Sequence, residues 1–245
     1  MESTTYAAEA EAEARHWWFV GRRRLFGREI SRLCVGADAT ILDVGTSTGT
    51  NLRLLRDSGF QNVTGVDMSS DAIRYCAEKN LGVVRQADVR DMPFGDCSFD
   101  LVMATDIVEH VDDDEAALRE IFRVTRPGGH VLFTVPAFQS LWGLQDRVSH
   151  HKRRYLREPF NRMVATAGFS VTRTYYFNFL LFAPIWVARR LIDATAMPVK
   201  SENHLSGGVF NSILGAIFDA DCLVAPSLRP PFGVSLLSVA QRPRL

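Results

Sequence analysis

Several features are scarce or missing in this sequence. Its 245 residues include only four cysteines, Cys34, Cys76, Cys97 and Cys222. No two stand at the Cys-x-x-Cys spacing of a metal or redox pair, which argues against a disulfide framework and for a reduced, cytoplasmic setting. Neither sign of charge is in excess: 28 basic residues face 28 acidic ones. The whole-molecule field therefore offers nothing to draw in nucleic acid. The longest continuous apolar run, Phe179 to Ala188, is about ten residues and contains Pro184. A spanning helix needs about 20 apolar residues, so no transmembrane segment is expected. The N-terminus is acidic and alanine-rich, whereas a secretory leader is basic and then apolar.

One further absence is informative because of where it falls. In Ile41-Leu42-Asp43-Val44-Gly45-Thr46-Ser47-Thr48-Gly49, an apolar pair leads through an acid into a turn with two glycines. A dinucleotide turn, Gly-x-Gly-x-x-Gly counted from Gly45, needs glycine at positions 47 and 50 so that the backbone can cradle a pyrophosphate. The chain has Ser47 and Thr50 there. Further on, Val63-Thr64-Gly65-Val66 ends in Asp67. A strand, a glycine turn, a helix and a second strand ending in a carboxylate form a nucleoside pocket, the carboxylate accepting from the ribose hydroxyls. The missing glycines turn the reading from a dinucleotide toward a nucleoside without a pyrophosphate.

The surrounding pattern gives that pocket a sheet. Short β-type runs at 41–44, 63–66, 82–86, 99–104 and 130–135 alternate with helical segments. Leu118, Ile121 and Phe122 lie on one helix face, as do Ile73, Cys76 and Ala77, spaced at i, i+3 and i+4. Alternating strands and helices mean βαβ units and a parallel sheet with its ligands at the carboxyl ends of the strands. Asp43, Asp67, Asp88 and Thr105-Asp106 all lie at such ends. Beyond Pro136 the stretch 141–155 reads as a loop, 156–167 as a helix stopped by Gly168, and 169–177 and 234–240 as strands. About 55 residues separate these last two strands, and an apolar stripe of Phe210, Ile213, Leu214, Ile217 and Phe218 lies among them. The stripe reads either as a helix packed on the core or as a lobe over a greasy substrate or membrane surface.

Five motifs in order give the chain its resemblance to class I S-adenosylmethionine-dependent methyltransferases, type 11 in particular. Residues 43–49 resemble that family's Asp-x-Gly-x-Gly-x-Gly, with Ser47 for the middle glycine. Gly65-Val66-Asp67-Met68-Ser69 resembles its ribose strand, Ala87-Asp88-Val89 its adenine-contacting acidic position, Ser98-Phe99-Asp100-Leu101-Val102 its fourth strand, and Arg126-Pro127-Gly128-Gly129-His130 the turn into its fifth. The resemblance covers roughly residues 38–175. It implies a Rossmann-like α/β fold with a seven-stranded, mostly parallel sheet, an antiparallel last strand, helices on both faces and a helical insertion between strands 6 and 7. The implied cofactor is S-adenosyl-L-methionine, held by Asp43, Gly45, Thr46, Gly49, Asp67, Met68, Asp88, Val89 and Thr105.

These readings divide the chain into an N-terminal helical arm or lid (1–37), a core (38–177 and 233–245) and an apolar substrate cap (178–232). His16-Trp17-Trp18-Phe19 either anchors the arm or closes over the cofactor. Asp106-Ile107-Val108-Glu109-His110 follows the fourth strand and faces the expected reaction zone. It lacks the Asn/Asp-Pro-Pro-Tyr tetrad of amino-group nucleic-acid methyltransferases, so no nucleic-acid partner is expected. His110 and His151 are the base candidates, weighed against purely structural polar contacts. Trp18, Glu109, His150, Arg153, Arg154 and Tyr155 are the acceptor-side candidates, the basic run 150–155 reading as a solvated loop or an anion patch. The adjacent pair His150-His151 has no third ligand near it in sequence, so no metal is expected. The expected function is methyl transfer to a small-molecule or lipid-like acceptor. The setting is cytoplasmic, with peripheral membrane contact through 178–232 as an option. A non-catalytic cofactor-binding protein and an NAD-dependent Rossmann protein are the alternatives.

Overall fold

The computed structural model describes residues 10–195 and 208–244; the start of the expected arm, the middle of the expected cap and Leu245 lie outside them. A helix, α1 (Trp17–Arg32), precedes the sheet. The core then runs β1 (Thr40–Val44), α2 (Thr50–Asp57), β2 (Asn62–Asp67), α3 (Ser70–Glu78), β3 (Val83–Gln86), β4 (Phe99–Thr105), α4 (Asp114–Val124) and β5 (Thr125–Pro136). It continues through α5 (Leu144–Val148), α6 (Arg157–Thr166), β6 (Ser170–Phe177), α7 (Phe182–Thr195), α8 (Gly208–Leu228) and β7 (Ser235–Gln241).

The seven strands form one sheet in the order β3-β2-β1-β4-β5-β7-β6. The first five pair in parallel, and β7 runs antiparallel to both β5 and β6. Successive strand residues point to opposite faces. Accordingly Ile41, Leu101 and Leu132 join one buried cluster, while Leu42, Val102 and Phe133 join another. The first cluster is covered by Leu25 and Phe26 of α1, Leu52 and Leu55 of α2, and Phe218 and Cys222 of α8. Ala117, Leu118 and Ile121 of α4 and Phe160 and Val164 of α6 cover the second. Strand order reverses between β1 and β4, and their carboxyl ends open the crevice where a ligand binds in this topology.

Three local expectations change. The stretch 141–155 is not all loop: a 3-10 turn at Gln139–Leu141 and the short helix α5 interrupt it. Only part of the apolar stripe of α8 packs: Phe218 is buried and Leu214 and Ile217 are half-buried. Phe210 and Ile213 are 55% and 51% exposed, whereas the buried side is Phe218, Asp221, Cys222 and Ala225. Aromatic contacts of Phe218 with Trp17, Trp18 and Phe177 choose that side. Asp221 reinforces it by accepting the Asn178 and Leu180 amides at 2.7 and 2.8 Å, which ties the end of β6 to α8. Finally, among the described residues α8 is long and apolar enough to cross a bilayer by length and composition alone, which does not show that it does. Scattered polar residues such as Asn211 and Asp219 hide that character from a search for unbroken runs.

The approach of α1 to α8 depends on Gly21, since a Cβ there would fall inside the Phe218 ring. Gly21→Ala should therefore lower stability by about 1–3 kcal/mol through overpacking, against alanine's better helix propensity. Urea denaturation reads this directly, and a variant as stable as the parent would show that the two helices separate freely.

Candidate active site

The crevice begins at the turn after β1. Gly45 and Gly49 adopt φ of +75° and +76°, and Ser47 between them adopts +46°. The serine therefore keeps the left-handed backbone that a glycine would take at that position. The Gly45 and Thr46 amides both donate to the Val66 carbonyl, at 2.9 and 3.2 Å, which pins the turn onto β2. The Ser47 amide donates to Asp67 Oδ2 at 2.8 Å, and the Ser69 amide to Asp67 Oδ1 at 2.8 Å. Each oxygen of Asp67 is thus oriented by one backbone donor and keeps capacity for another. Met68 is exposed beside it, Thr46 and Val89 are buried, and both Asp88 oxygens already accept from the Arg90 guanidinium.

Asp43 is fully buried at the end of β1. Its Oδ1 accepts from Asn51 Nδ2 at 2.9 Å, and the same amide group donates to Thr105 Oγ1 at 2.9 Å, bridging β1 to β4. Asp43 Oδ2 has no partner. Burial pushes the Asp43 carboxyl up to about 7, with the Asn51 hydrogen bond opposing. A turn with left-handed glycines, a ribose-type carboxylate held by two amides and an orphaned buried acceptor suit a nucleoside ligand that carries a hydrogen-bond donor or a positive charge.

Past β4 a second polar group assembles. Asp106 pairs with Arg22 of α1 at 2.5 Å, and Arg22 lies over the Trp18 and Phe26 rings. Glu109 is fully buried, and burial together with Asp106 holds its carboxyl well above the ordinary carboxylate range. His110 and His151 meet edge-on, with ring centres 4.8 Å apart. Burial, then the neighbouring His151, lowers His110 to about 4, so it is neutral at physiological pH. His151 Nδ1 bonds Asp146 Oδ1 at 2.8 Å. The two base candidates and Glu109 therefore come together, although about 40 residues separate them in sequence.

The basic run does not form an open anion patch. Arg154 is buried, and its guanidinium is engaged by both oxygens of Asp146, at 2.8 and 3.0 Å, and by the Ala137 carbonyl. Arg153 pairs with Asp114 at 2.9 Å, and the buried Tyr155 hydroxyl donates to the same carboxylate at 2.9 Å. His150 is exposed. Trp18 stacks on Phe177 and touches Phe218, as an anchoring ring does.

Four contributors escaped the sequence reading: Glu13, Arg22 in its pairing role, Asn51 and Asp146. Glu13 accepts from the Thr48 and Thr50 hydroxyls, which brings the arm onto the glycine turn. Asn51 announced itself only as a polar residue one position before the buried Leu52. Asp146 was the lone acid in a basic, aromatic stretch. A groove of about 930 Å³ beside the strand ends is lined by Arg23, Arg28 and Arg53 together with Thr48 and Thr50.

An open α/β sheet with a nucleoside crevice at its strand-order reversal defines the class: a Rossmann-like nucleoside-binding domain. A family model described as a methyltransferase domain matches residues 42–133. Malonyl-acyl-carrier-protein O-methyltransferase of Enterobacter lignolyticus is 31% identical over 144 residues, 56% of this chain and 57% of the relative. A probable S-adenosylmethionine-dependent methyltransferase of Mycolicibacterium smegmatis is 26% identical, covering 65% of this chain and 62% of that one. The chain thus spans between 40% and 62% of the length of the curated relatives it matches. Among solved structures, a methyltransferase from Haloferax volcanii in complex with the Trm112 methyltransferase activator superposes with a TM-score of 0.66, at 22% identity, over 99% of this chain and 96% of that one. Residues 42–133 thus match a methyltransferase domain, within a fold shared with solved methyltransferase structures.

The Asp43 carboxyl gives a pH test. It titrates near 4 when unfolded and at about 7 when folded. Between these values the folded chain binds more protons, so its stability falls as pH rises, by up to about 1.4 kcal/mol per pH unit. Asp43→Asn keeps the Asn51 contact and does not titrate. The stability difference, parent minus variant, should fall from pH 5 to 7 and level off above 8 in chemical denaturation; parallel profiles would contradict this account of Asp43.

Proposed function

We propose that this protein transfers the methyl group of S-adenosylmethionine to a small or lipid-like acceptor in the cytoplasm. The observation that carries the reading is the crevice built by Gly45, Gly49, Asp43 and Asp67 within the segment that matches a methyltransferase domain. When bound, the cofactor supplies an activated methyl on a sulfonium leaving group.

The chain's own work is mainly positional. Asp67 is oriented to accept from ribose hydroxyls, and the unpartnered Asp43 oxygen awaits a donor. The left-handed turn admits the ligand close to the backbone at Gly45 and Gly49. Arg22, locked between Asp106 and the Trp18 ring, ties the arm to the end of β4 and helps to exclude water from the reaction zone. Residues 1–37 serve in this reading as a lid, supported by the Glu13 contacts to Thr48 and Thr50. Any proton taken from a hydroxyl acceptor falls to the cluster of Glu109, His110 and His151.

Two observations favour an acceptor with an apolar body. The matched relatives include enzymes named for a malonyl group on an acyl carrier protein. The segment between β6 and β7 also presents Trp186, Leu191, Phe210, Ile213, Leu223 and Leu228 to solvent. That surface suits a cap over an amphiphile or a shallow contact with a lipid surface.

Calorimetry should show S-adenosylmethionine or its demethylated product binding at micromolar affinity or better. Asp67→Ala should weaken it about 10–100-fold, roughly 1.4–2.7 kcal/mol, through loss of the charged acceptor. Binding of nicotinamide dinucleotide in its place would end the proposal. Tight cofactor binding with no labelled methyl product from a fractionated extract would instead favour a non-catalytic binding protein. For the apolar surface, the double variant Phe210→Glu with Ile213→Glu should lose co-sedimentation with lipid vesicles or micelles while keeping cofactor affinity. Unchanged turnover of a purely polar acceptor by that variant would remove the amphiphile from the reading.

A further inference from the structure

We propose that Glu109, His110 and His151 form a binding site for one divalent transition-metal ion of the zinc class. One ligand atom from each residue lies within 4.8 Å of the other two. Tetrahedral coordination with bonds of about 2.0–2.2 Å sets its ligand atoms roughly 3.3 Å apart. Side-chain rotation of the order of an ångström closes the cluster to that size.

The argument rests on what the cluster's polar atoms face. Glu109 is fully buried, and neither carboxylate oxygen has a hydrogen-bond partner in another residue. The nearest donor atom, His151 Nε2, is 3.9 Å from Glu109 Oε1, beyond hydrogen-bond reach. His151 spends its other nitrogen on Asp146, and His110 has a ring hydrogen bond to the Ser149 backbone. A neutral imidazole that donates from one nitrogen turns a lone pair outward from the other. The centre of the cluster is therefore a buried carboxyl group and two imidazole edges gathered within 4.8 Å, with no hydrogen bond from either ring to the Glu109 oxygens. Burying such a set without a partner is costly, and a cation resolves it.

The surroundings resemble the outer support of a metal site. Asp146 fixes the tautomer and orientation of His151, and it is itself held by Arg154 and by the Gly143 amide at 2.9 Å. A carboxylate behind a ligating histidine is the usual arrangement. The Lys152 amide donates to the Glu109 carbonyl at 2.8 Å, which fastens the histidine loop to the turn that carries the other two ligands. Two imidazoles and one carboxylate suit zinc, cobalt or manganese better than magnesium or calcium, which prefer oxygen alone. Asp106 is occupied by Arg22, so three protein ligands leave a fourth position for solvent or an acceptor oxygen. The expectation of no metal rested on the adjacent pair His150-His151, and this site uses only one of them.

The test uses the full chain, stripped with a chelator and titrated with zinc in the absence of cofactor and acceptor. One zinc per chain is expected by calorimetry and elemental analysis, with a rise in Tm, and cobalt substitution should give the strong visible absorption of a tetrahedral site. His110→Ala and Glu109→Gln should each lower zinc affinity about 100-fold or more and abolish the Tm rise, as a lost ligand does more than the 10–100-fold of a lost outer-shell partner. His150→Ala, an exposed neighbour, should leave binding unchanged. His151→Ala joins the set if its circular dichroism matches the parent, and His110→Ala carries the test if it does not. No stoichiometric zinc in the parent, or equal loss in His150→Ala, overturns the proposal. Either result leaves cofactor binding untouched, so a failure here is distinct from a failure of the methyltransferase reading.

Discussion

The Ser47 amide's hydrogen bond to Asp67 is the contact on which the rest of the site depends. It joins the turn after β1 to the end of β2, and it forms only if the chain at Ser47 takes a left-handed conformation. That conformation is possible because Gly45 and Gly49 carry the sharper part of the turn on either side. Once it is made, Asp67 is aimed, the first turn of α2 is placed, and Asn51 reaches across to bridge Asp43 and Thr105. One backbone donor thereby couples three strands at their carboxyl ends. The glycine missing at position 47 alters residue type without altering the geometry the pocket requires.

The sheet was legible from the chain because its signals are local. Each strand is a short β-branched or apolar run, each helix an apolar stripe, and the glycine turn announces its own backbone. The acids at strand ends, Asp43, Asp67 and Asp88, followed from those boundaries. What escaped depends on partners far away in sequence. Arg153 and Arg154 read as open charge because Asp114 and Asp146, which neutralise them, lie outside their segment's periodicity. How much of the α8 stripe is covered is decided in the same way. An apolar stripe says that a face is greasy, but Phe177 of β6 and Trp18 of α1 decide which face is covered. The grouping of Glu109 and His110 with His151 is also set by tertiary folding, and no spacing rule reports it.

The arm and the apolar segment are mechanically connected. Trp17 donates its amide to Asn211 at 2.9 Å, and Asn211 returns a hydrogen bond to the Arg15 carbonyl at 3.0 Å. Arg24 pairs with Asp219 on the same pair of helices. Through Glu13 the arm touches the glycine turn, and through Arg22 it touches Asp106. Through these contacts α1 bridges α8 to both ends of the crevice. The close approach at Gly21 makes the coupling stiff, because rings already fill the space between the helices.

Two buried acids at the carboxyl ends of neighbouring strands show the same imbalance. Asp43 has one unpartnered oxygen and Glu109 has two, whereas the buried Asp146 accepts from the Gly143 amide and from Arg154. A folded chain bears the cost of such orphans where a ligand repays it. At Asp43 the left-handed turn and the ribose carboxylate beside it identify a nucleoside as that ligand. At Glu109 the facing groups are two imidazoles that make no hydrogen bond to it, and a cation drawn between the three would satisfy them together. The two imbalances lie at the end of β1 and in the turn that follows β4, adjacent strands at the point where strand order reverses. Methyl donor and ion would then meet across one crevice, with the acceptor held between them.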